Sequence, residues 1–415
     1  MGKRSKLYMD RKSLILDCIK NKKNIKEEVV VSFMQEELHE ILYSYINGGF
    51  SNKGFVFYPL VKDLSRKNIN KIDDLRIIAA FLSKNGHNFN NTLSIFENNK
   101  PNGKTAPAFI SAFYMDFSNI KKAKAKKKEI KSNKLDFNKF EKKDMEYLRP
   151  VSELNRFALK ELKEYLLEFY VHGSIATRDY IKGWSDLDTL IIINKNTLND
   201  PKKLAKLRDL LYKSKKYFYK IDALHHHGHM VITEYDLEYY CETFFPLELF
   251  KFSKSIFGER YINFKIRKNK IENIERFYSF VNYFKNLYLN KKFNMGSYEL
   301  KFFFHAVTLF PTMYLQAKGI NVYKKFSFDL AKKDFGKKLW KPIGTVEMIR
   351  RRWKTPHKIR FVNLISSVNP LLAYQLNSKY WDMFHNISRL NDINIEELAA
   401  EMHALASNAW DKIKV

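Results

Sequence analysis

Two acidic residues stand two positions apart, directly before a run of apolar residues. Asp186 and Asp188 lie in the segment Ser-Asp-Leu-Asp, and the strand-like sequence Thr-Leu-Ile-Ile-Ile follows at 189–193. Residues two apart on a strand point to the same face, so these carboxylates should lie side by side. Like charges at that distance raise each other's pKa unless a cation lies between them. Because Mg²⁺ prefers oxygen ligands, the pair predicts Mg²⁺, with Mn²⁺ as the alternative.

A glycine–serine turn precedes this acidic pair. Gly173 and Ser174 end a predicted strand, 169–172, and open a short predicted helix, 175–181; ten residues then separate Ser174 from Ser185. Glycine lets the backbone approach a ligand closely, and the free amides and positive end of a helix attract phosphate. The strand–helix–strand unit therefore predicts a phosphate site beside a metal site.

A third carboxylate is expected, because two bridging metal ions usually share one acid and need a second. We predict that this acid is Asp222, which lies 34 residues beyond Asp188 on a predicted third strand, Tyr217–Leu224. That separation leaves room for a crossover helix and a return strand. Glu234 and Asp236 are the alternative candidates for the third acid.

The Gly-Ser turn, the ten-residue spacer and the Asp-x-Asp motif before an apolar strand resemble the DNA polymerase beta-like nucleotidyltransferase superfamily. The resemblance covers about residues 151–260. It implies that Asp186 and Asp188 bind two Mg²⁺ ions, and that Asp222 completes the metal site and helps to activate the attacking hydroxyl. The residues expected to bind the nucleotide are Gly173, Ser174, Arg178, Ser185 and His226.

The reaction implied by this resemblance is transfer of a nucleoside monophosphate from a nucleoside triphosphate to a hydroxyl, with release of pyrophosphate. The charge balance favours RNA as the acceptor, at a 3′ end such as that of a transfer RNA. The alternatives are a cyclic-oligonucleotide or small-molecule product and nucleotidylation of a protein. A non-enzymatic alternative is an RNA-binding protein with a relict fold.

Four histidines and a glycine follow the predicted third strand. Strand alternation would place His226 on the face of Asp222 and its neighbours on the opposite face. Three interpretations remain open for the run: a zinc site, contact of His226 or a neighbour with phosphate or acceptor, and polar packing at a hairpin that turns at Gly228. The zinc interpretation uses three residues, His225, His227 and His229.

The composition is strongly basic. The 415 residues include 74 Lys and Arg against 45 Asp and Glu, a formal net charge of +29, which favours a polyanionic partner such as nucleic acid. Coding bias in an A+T-rich genome is the alternative explanation. Lys121–Lys134 is rich in lysine and is expected to be an exposed helix, a linker or a nucleic-acid-binding arm. Arg350–Lys354 suits a phosphate backbone with a stacked base, or else a solvated helix face.

The expected fold is α+β: a nucleotidyltransferase-type mixed-sheet core between helical N-terminal and C-terminal regions. We expect a helical region at 1–120, a Lys-rich linker at 121–150, the catalytic core at 151–265 and a helical domain at 266–415. Two cysteines are too few for a disulfide framework and indicate a reducing compartment, the cytoplasm. The longest apolar stretch, 302–317, is too short and polar for a membrane span. Oligomeric state is left open.

Overall fold

The structure is a computed structural model that describes residues 11–47, 66–120, 122, 125–222, 224–225, 227–353 and 393–414, with single positions between 364 and 376. The elements of the N-terminal half are α1 Arg11–Lys20, α2 Glu27–Asn47, α3 Arg66–Lys84, α4 Asn90–Asn98, α5 Ala106–Ser118, β1 Lys126–Lys131, β2 Asn133–Lys134, α6 Met145–Phe157, β3 Leu166–His172, α7 Gly173–Thr177, β4 Asp188–Ile193, α8 Lys195–Leu198 and α9 Pro201–Ile221. Those of the C-terminal half are β5 Met230–Thr233, α10 Leu247–Phe250, β6 Lys254–Ser255, β7 Tyr261–Ile266, α11 Lys270–Leu289, α12 Ser297–Ala317, α13 Lys324–Lys332, α14 Lys337–Arg352 and α15 Ile395–Lys414.

Five strands form a mixed sheet in the order β2-β6-β3-β4-β5. β3 and β4 run antiparallel, and His172 is the register partner of Asp188. β4 and β5 run parallel, with Ile191 beside Val231. The helices flank this sheet, so the predicted α+β fold with a mixed-sheet core is confirmed.

Both faces of the sheet are buried. Phe169 of β3 and Ile191 of β4 belong to the core that the N-terminal helices and α9 share with one face. Tyr170 and Ile192 point to the opposite face, where they join a smaller core with residues of α10 and β7. A strand that is buried on both faces needs apolar residues at every position, which explains the unbroken Leu-Ile-Ile-Ile of β4.

The N-terminal and C-terminal helices pack differently. α2 lies against β5, where the His39 ring nitrogen Nε2 donates to the Val231 carbonyl at 2.8 Å. Helices α11 to α15 instead form their own core, which the loop residue Trp184 joins. The domain boundaries expected at 120, 150 and 265 remain predictions. No helix in the described ranges has the length and apolar character needed to cross a bilayer.

The predicted third strand, Tyr217–Leu224, is wrong. Residues Pro201–Ile221 form one helix, α9, and Asp222 follows its last turn. Leu204, Leu207, Leu211 and Phe218 are buried at helical spacing, so the helical period continues into the residues predicted as a strand. The third central strand is β5, which begins eight residues beyond Asp222.

The Lys-rich segment is also more ordered than its composition indicates. Lys126–Lys131 form β1, which pairs antiparallel with β7 along its whole length. Ile130 is the buried side chain of the strand, and the other five are exposed. The expected helix or linker is therefore wrong for these six residues, because backbone pairing with β7 compensates for a nearly all-polar sequence.

Candidate active site

The catalytic motif begins where β3 ends. Gly173 adopts φ +68°, a left-handed conformation that glycine adopts without strain. A β-carbon at this position would lie 2.2 Å from the Asp188 oxygen Oδ2, so only glycine fits. The close approach arises because His172 and Asp188 are paired across β3 and β4. The predicted phosphate-binding turn and the predicted metal-binding carboxylate are thus in direct contact.

His227 lies between the two carboxylates of the Asp-x-Asp motif. Its Nε2 atom is 3.2 Å from Oδ2 of Asp186 and 3.1 Å from Oδ1 of Asp188. The other ring nitrogen, Nδ1, is 3.0 Å from the Gly228 carbonyl. Both nitrogens face acceptors, so both must carry a proton, and the ring is an imidazolium.

The pKa values agree with this assignment. Burial disfavours the charged form of His227, but hydrogen bonds from its ring to Asp186 and Asp188 and the charges of both carboxylates raise its pKa well above the usual value. Burial alone would raise the pKa of Asp186, yet the hydrogen bond from His227 and the charges of His305 and Lys301 hold that pKa well below its usual value. Asp186 is therefore ionised and faces a cation.

Helix α12 forms a second wall of the site. The ring of its His305 stacks on Trp184, with centroids 4.8 Å apart and an angle of 7° between the planes. Lys301, one helical turn earlier, places Nζ 5.6 Å from the centroid of the same tryptophan. Trp184 lies two residues before Asp186, so these contacts join the C-terminal helices to the catalytic loop.

Asp222 lies close to the Asp-x-Asp motif, and both of its carboxylate oxygens accept hydrogen bonds from the protein. Its Oδ2 accepts a hydrogen bond from Lys301 Nζ at 2.6 Å, and its Oδ1 accepts one from the Leu224 amide at 3.1 Å. Both partners of the ion pair are buried. Burial raises the pKa of Asp222, Lys301 opposes that rise, and the nearby charge of Asp186 adds to it. The metal-binding role expected for Asp222 remains a prediction.

The strand position that could present a third acid to the motif is occupied by a glycine. If the β4–β5 register is continued by two residues, Gly228 lies beside Asp188. A β-carbon at Gly228 would lie 1.8 Å from the Oδ1 atom of Asn47, which closes this space from α2. Glu234, the first alternative, instead accepts a hydrogen bond from the Lys195 amide, and Asp236 accepts one from the Thr233 amide.

The histidine run is arranged differently from the prediction. His227, expected on the far face, contacts the two aspartates, and His226 lies outside the described residues. The three histidines of the zinc interpretation do not assemble, because the two ring nitrogens of His229 contact the Thr189 and Ser214 hydroxyls, each at 2.8 Å. In the described part of the chain, the residues whose ligand atoms converge within 4.8 Å are Asp186, His225 and His227.

Two cations approach the motif from the C-terminal helices. Burial and the neighbouring Arg350 lower the pKa of Lys324 to about 8, while Asp186 and Asp188 act in the opposite direction. Lys324 opens α13, and its neighbour Tyr323 places Oη 2.9 Å from the Thr177 hydroxyl of α7. Lys324 and Arg350 thus belong to the same site as the Gly-Ser turn.

The remaining predicted nucleotide-binding residues, Ser174, Arg178 and Ser185, differ in their exposure to solvent. Ser174 is half-buried in the first turn of α7. Arg178 is exposed at the end of α7 and donates from Nη1 to the Lys139 carbonyl at 2.9 Å. Ser185 is buried, and its hydroxyl accepts a hydrogen bond from the Ile181 amide at 2.9 Å, which shapes the loop before the motif. Nucleotide binding by these residues remains a prediction.

A family model described as a nucleotidyltransferase domain matches residues 152–260. This segment is therefore identified as a nucleotidyltransferase domain. This match agrees with the resemblance to polymerase beta-like nucleotidyltransferases, and it supports nucleotidyl transfer as the general activity. No curated protein and no solved structure matched the chain.

Several site residues were not identified from the sequence. Lys301 and His305 had a detectable signal, because they are polar residues four apart within an otherwise apolar helix. Lys324 had none, since it was one of many lysines in its region. Arg350 was assigned to an RNA-stacking patch with Trp353, but Trp353 is buried against Trp184, with ring centroids 5.3 Å apart, and cannot stack on a base.

Proposed function

We propose that this protein transfers a nucleoside monophosphate from a nucleoside triphosphate to a hydroxyl of RNA and releases pyrophosphate. The observation that carries the proposal is the close approach of Gly173 to Asp188, which brings a glycine–serine turn suited to phosphate beside the acidic pair. Phosphoryl transfer depends mainly on positioning and on charge stabilisation, and this arrangement supplies both.

The residues present suit a divalent cation. The shared contact of His227 with Asp186 and Asp188 shows that a positive charge is stable between these carboxylates. We propose that the two aspartates hold Mg²⁺ or Mn²⁺, and that the ion replaces a ring proton of His227, so that His225 and His227 present neutral imidazoles beside it. Carboxylate oxygen suits both ions, and the two imidazoles favour Mn²⁺ over Mg²⁺. When bound, the cations would neutralise charge that develops on the transferring phosphoryl group.

The triphosphate is expected to lie between α7 and the C-terminal helices. Ser174 and the amides of the turn would hold it from one side, and Lys324 and Arg350 from the other. The buried Nε atom of Arg350 has no hydrogen-bond acceptor among the described residues, so an incoming phosphate oxygen would satisfy it.

The chemical step is an in-line displacement. The acceptor hydroxyl oxygen forms a bond to the α-phosphorus, and the bond from that phosphorus to the bridging oxygen of pyrophosphate breaks. The leaving pyrophosphate takes the electron pair, and the hydroxyl proton passes to a carboxylate. We assign that role to Asp188, whose side chain is 25% exposed against 8% for Asp186, because the acceptor must reach the base from solvent.

Two observations favour RNA over the other acceptors. The chain carries a net charge of +29, and the largely exposed strand β1 has four lysines among its six residues. The cysteines Cys18 and Cys241 are both free, which fits a reaction in the reducing cytoplasm. A protein or small-molecule acceptor is the competing outcome of the test below.

The test offers the full chain each α-labelled nucleoside triphosphate with Mg²⁺ or Mn²⁺ and total cellular RNA. We expect label in RNA, and at least a thousandfold loss in the Asp188→Asn variant, which removes one ligand charge. Asp209→Asn is the matched control, because Asp209 is a surface aspartate on α9 that pairs with Arg208.

Label that depends on Asp188 but enters protein or a small product would replace RNA as the acceptor. Equal labelling by the wild-type chain and the Asp188→Asn variant would overturn the proposed function.

A further inference from the structure

An open pocket of ≈ 400 Å³ lies at the C-terminal end of α7, and neither Asp186 nor Asp188 lines it. Its walls come from β2, the end of α7, the segment between α10 and β6, and the start of α13. A volume of that size accommodates a ligand as large as a mononucleotide.

The pocket wall is strongly basic. Six cationic side chains line it against two acidic ones, Asp136 and Glu259; the six are Lys134, Lys139, Arg178, Lys251, Lys254 and Lys325. Convergence of like charges is costly, and burial together with the charges of Lys139 and Arg178 lowers the pKa of Lys254. An anionic ligand would relieve this repulsion.

The compensation of these charges within the protein is incomplete. Lys251 pairs with Glu248 at 2.5 Å, and Lys325 lies 3.8 Å from Asp179. Within the described ranges, Lys134 and Lys254 form no ion pair, which leaves their charges available to a ligand. The walls therefore present positive charge that the folded chain does not neutralise.

One wall of the pocket is aromatic. The rings of Phe252 and Tyr323 stack with centroids 4.6 Å apart, and Phe326 lies beside them, 5.8 Å from Phe252. Phe326 is 49% exposed, although it is a large apolar side chain. Exposed aromatic rings among cations are the elements that bind single nucleotides by base stacking and phosphate contact.

The pocket is connected directly to the catalytic turn. α7 spans the five residues from Gly173 to Thr177, so its two ends are separated by about 6 Å. Thr177 and Arg178 line the pocket, while Gly173 contacts Asp188. Lys254 is the register partner of Val171, two residues before the turn.

We propose that this pocket binds a phosphate-bearing nucleotide of the acceptor, because Ser174, Lys324 and Arg350, which we assign to the donor triphosphate, do not line it. The phosphate contacts the lysines, and the base stacks on Phe326 and Phe252. The proposal rests on the proposed function, because it assigns an acceptor site to that reaction. The shared ligand chemistry is a nucleoside phosphate, whether free or at the end of a single RNA strand.

The test measures binding without donor and without turnover. The full chain is titrated with a 5′-phosphorylated, fluorescent eight-nucleotide RNA, with a nucleoside 5′-monophosphate and with inorganic phosphate. The pocket variant is Lys134→Gln/Lys254→Gln. Its control is Lys332→Gln/Lys338→Gln, which removes the same charge from exposed lysines that do not line the pocket.

We expect the pocket variant to bind the RNA at least tenfold more weakly. The slope of log affinity against log salt should fall by about 1.4, the value for two lost phosphate contacts on a single strand. The control should stay within twofold of the wild type. Phe326→Ala, at an exposed position that tolerates truncation, should weaken RNA binding about tenfold and leave inorganic phosphate unaffected.

The three ligands separate the sources of the nucleotide. Competition by the monophosphate identifies a mononucleotide acceptor, and binding of the RNA alone identifies a strand end. Equal binding of RNA by the pocket and control variants would overturn the proposal, and so would inorganic phosphate binding as tightly as the nucleotide ligands. A wild-type chain that binds through the pocket but transfers no label would contradict the proposed function alone.

Discussion

His227 and His229 lie two residues apart, yet they occupy opposite electrostatic environments. His227 faces two carboxylates and is an imidazolium with a raised pKa. His229 lies beneath the sheet, between the Thr189 and Ser214 hydroxyls. Burial, together with the positive charge of Lys215, lowers its pKa to about 3.

The contrast shows that neighbouring charges, rather than burial alone, determine the protonation of these histidines. Burial disfavours the charged form of both rings. Only His227 has anionic partners close enough to reverse that effect. The region around Asp186 is therefore built to hold a cation, whereas the region around His229 is built to exclude one.

Removal of one carboxylate should abolish the difference in protonation between His227 and His229, together with most of the activity. In Asp186→Asn we expect nucleotidyl transfer to fall by three orders of magnitude or more, because a metal ligand is lost. The pKa of His227 should fall toward that of a free histidine, while His229 stays neutral. Activity assays and NMR titration of the histidine rings measure both effects. An unchanged pKa of His227 would contradict the assigned contact.

Substitution of each histidine should separate function from stability. His227→Gln is expected to weaken Mn²⁺ binding tenfold or more, with a small change in the free energy of unfolding. His229→Gln should lower the free energy of unfolding by about 2 kcal/mol, since it disturbs two buried hydrogen bonds, and leave Mn²⁺ binding unchanged. Calorimetric titration and denaturant unfolding of both variants give the comparison, and reversed effects would refute it.

The pH dependence of catalysis should follow the protonation of Lys324, whose charge interacts with Asp186 and Asp188. Burial and Arg350 lower its pKa to about 8 against the attraction of Asp186 and Asp188. The lysine is charged below that pH and loses its charge above it. We expect kcat/KM for the nucleoside triphosphate to decline above about pH 8. Lys324→Arg should move this decline upward by at least one pH unit, because arginine stays charged.

The last prediction concerns Lys215, which lies beside His229. Burial lowers its pKa to about 7, and its Nζ donates to the Asn47 carbonyl at 3.1 Å. Between about pH 7 and 10 the unfolded chain binds more protons than the folded one, so stability should rise with pH, by about 1 kcal/mol per unit. In Lys215→Met this rise should be reduced. Equal slopes for the two chains in denaturant unfolding would count against the assignment.

The parts of the site that depend on local sequence were predictable. Gly173 and Asp188 were identified because a turn after one strand and an acid at the start of the next are short-range features. Asp222 was placed on a strand because aromatic and β-branched residues precede it. In the structure, the helical period of α9 continues through those residues. Competing periods in a short apolar segment cannot be separated without the tertiary contacts.

The site residues that distant segments contribute could not be predicted from local sequence patterns. Lys324 reaches the motif only because α13 packs beside α7, through the contact of Tyr323 with Thr177. The placement of His227 depends on an irregular segment before β5, where strand alternation does not apply. The basic pocket combines four separate parts of the chain, which only the fold brings together.

The ion pair between Lys301 and Asp222 constrains how the parts of this protein can evolve. Each partner is buried, and each belongs to a different part of the sequence. A catalytic core transplanted without α12 would leave Asp222 near the charge of Asp186 without the lysine that pairs with it. C-terminal helices from another protein would have to supply a lysine at the position of Lys301. The two parts are therefore expected to be exchanged between genes as one unit, and to diverge together.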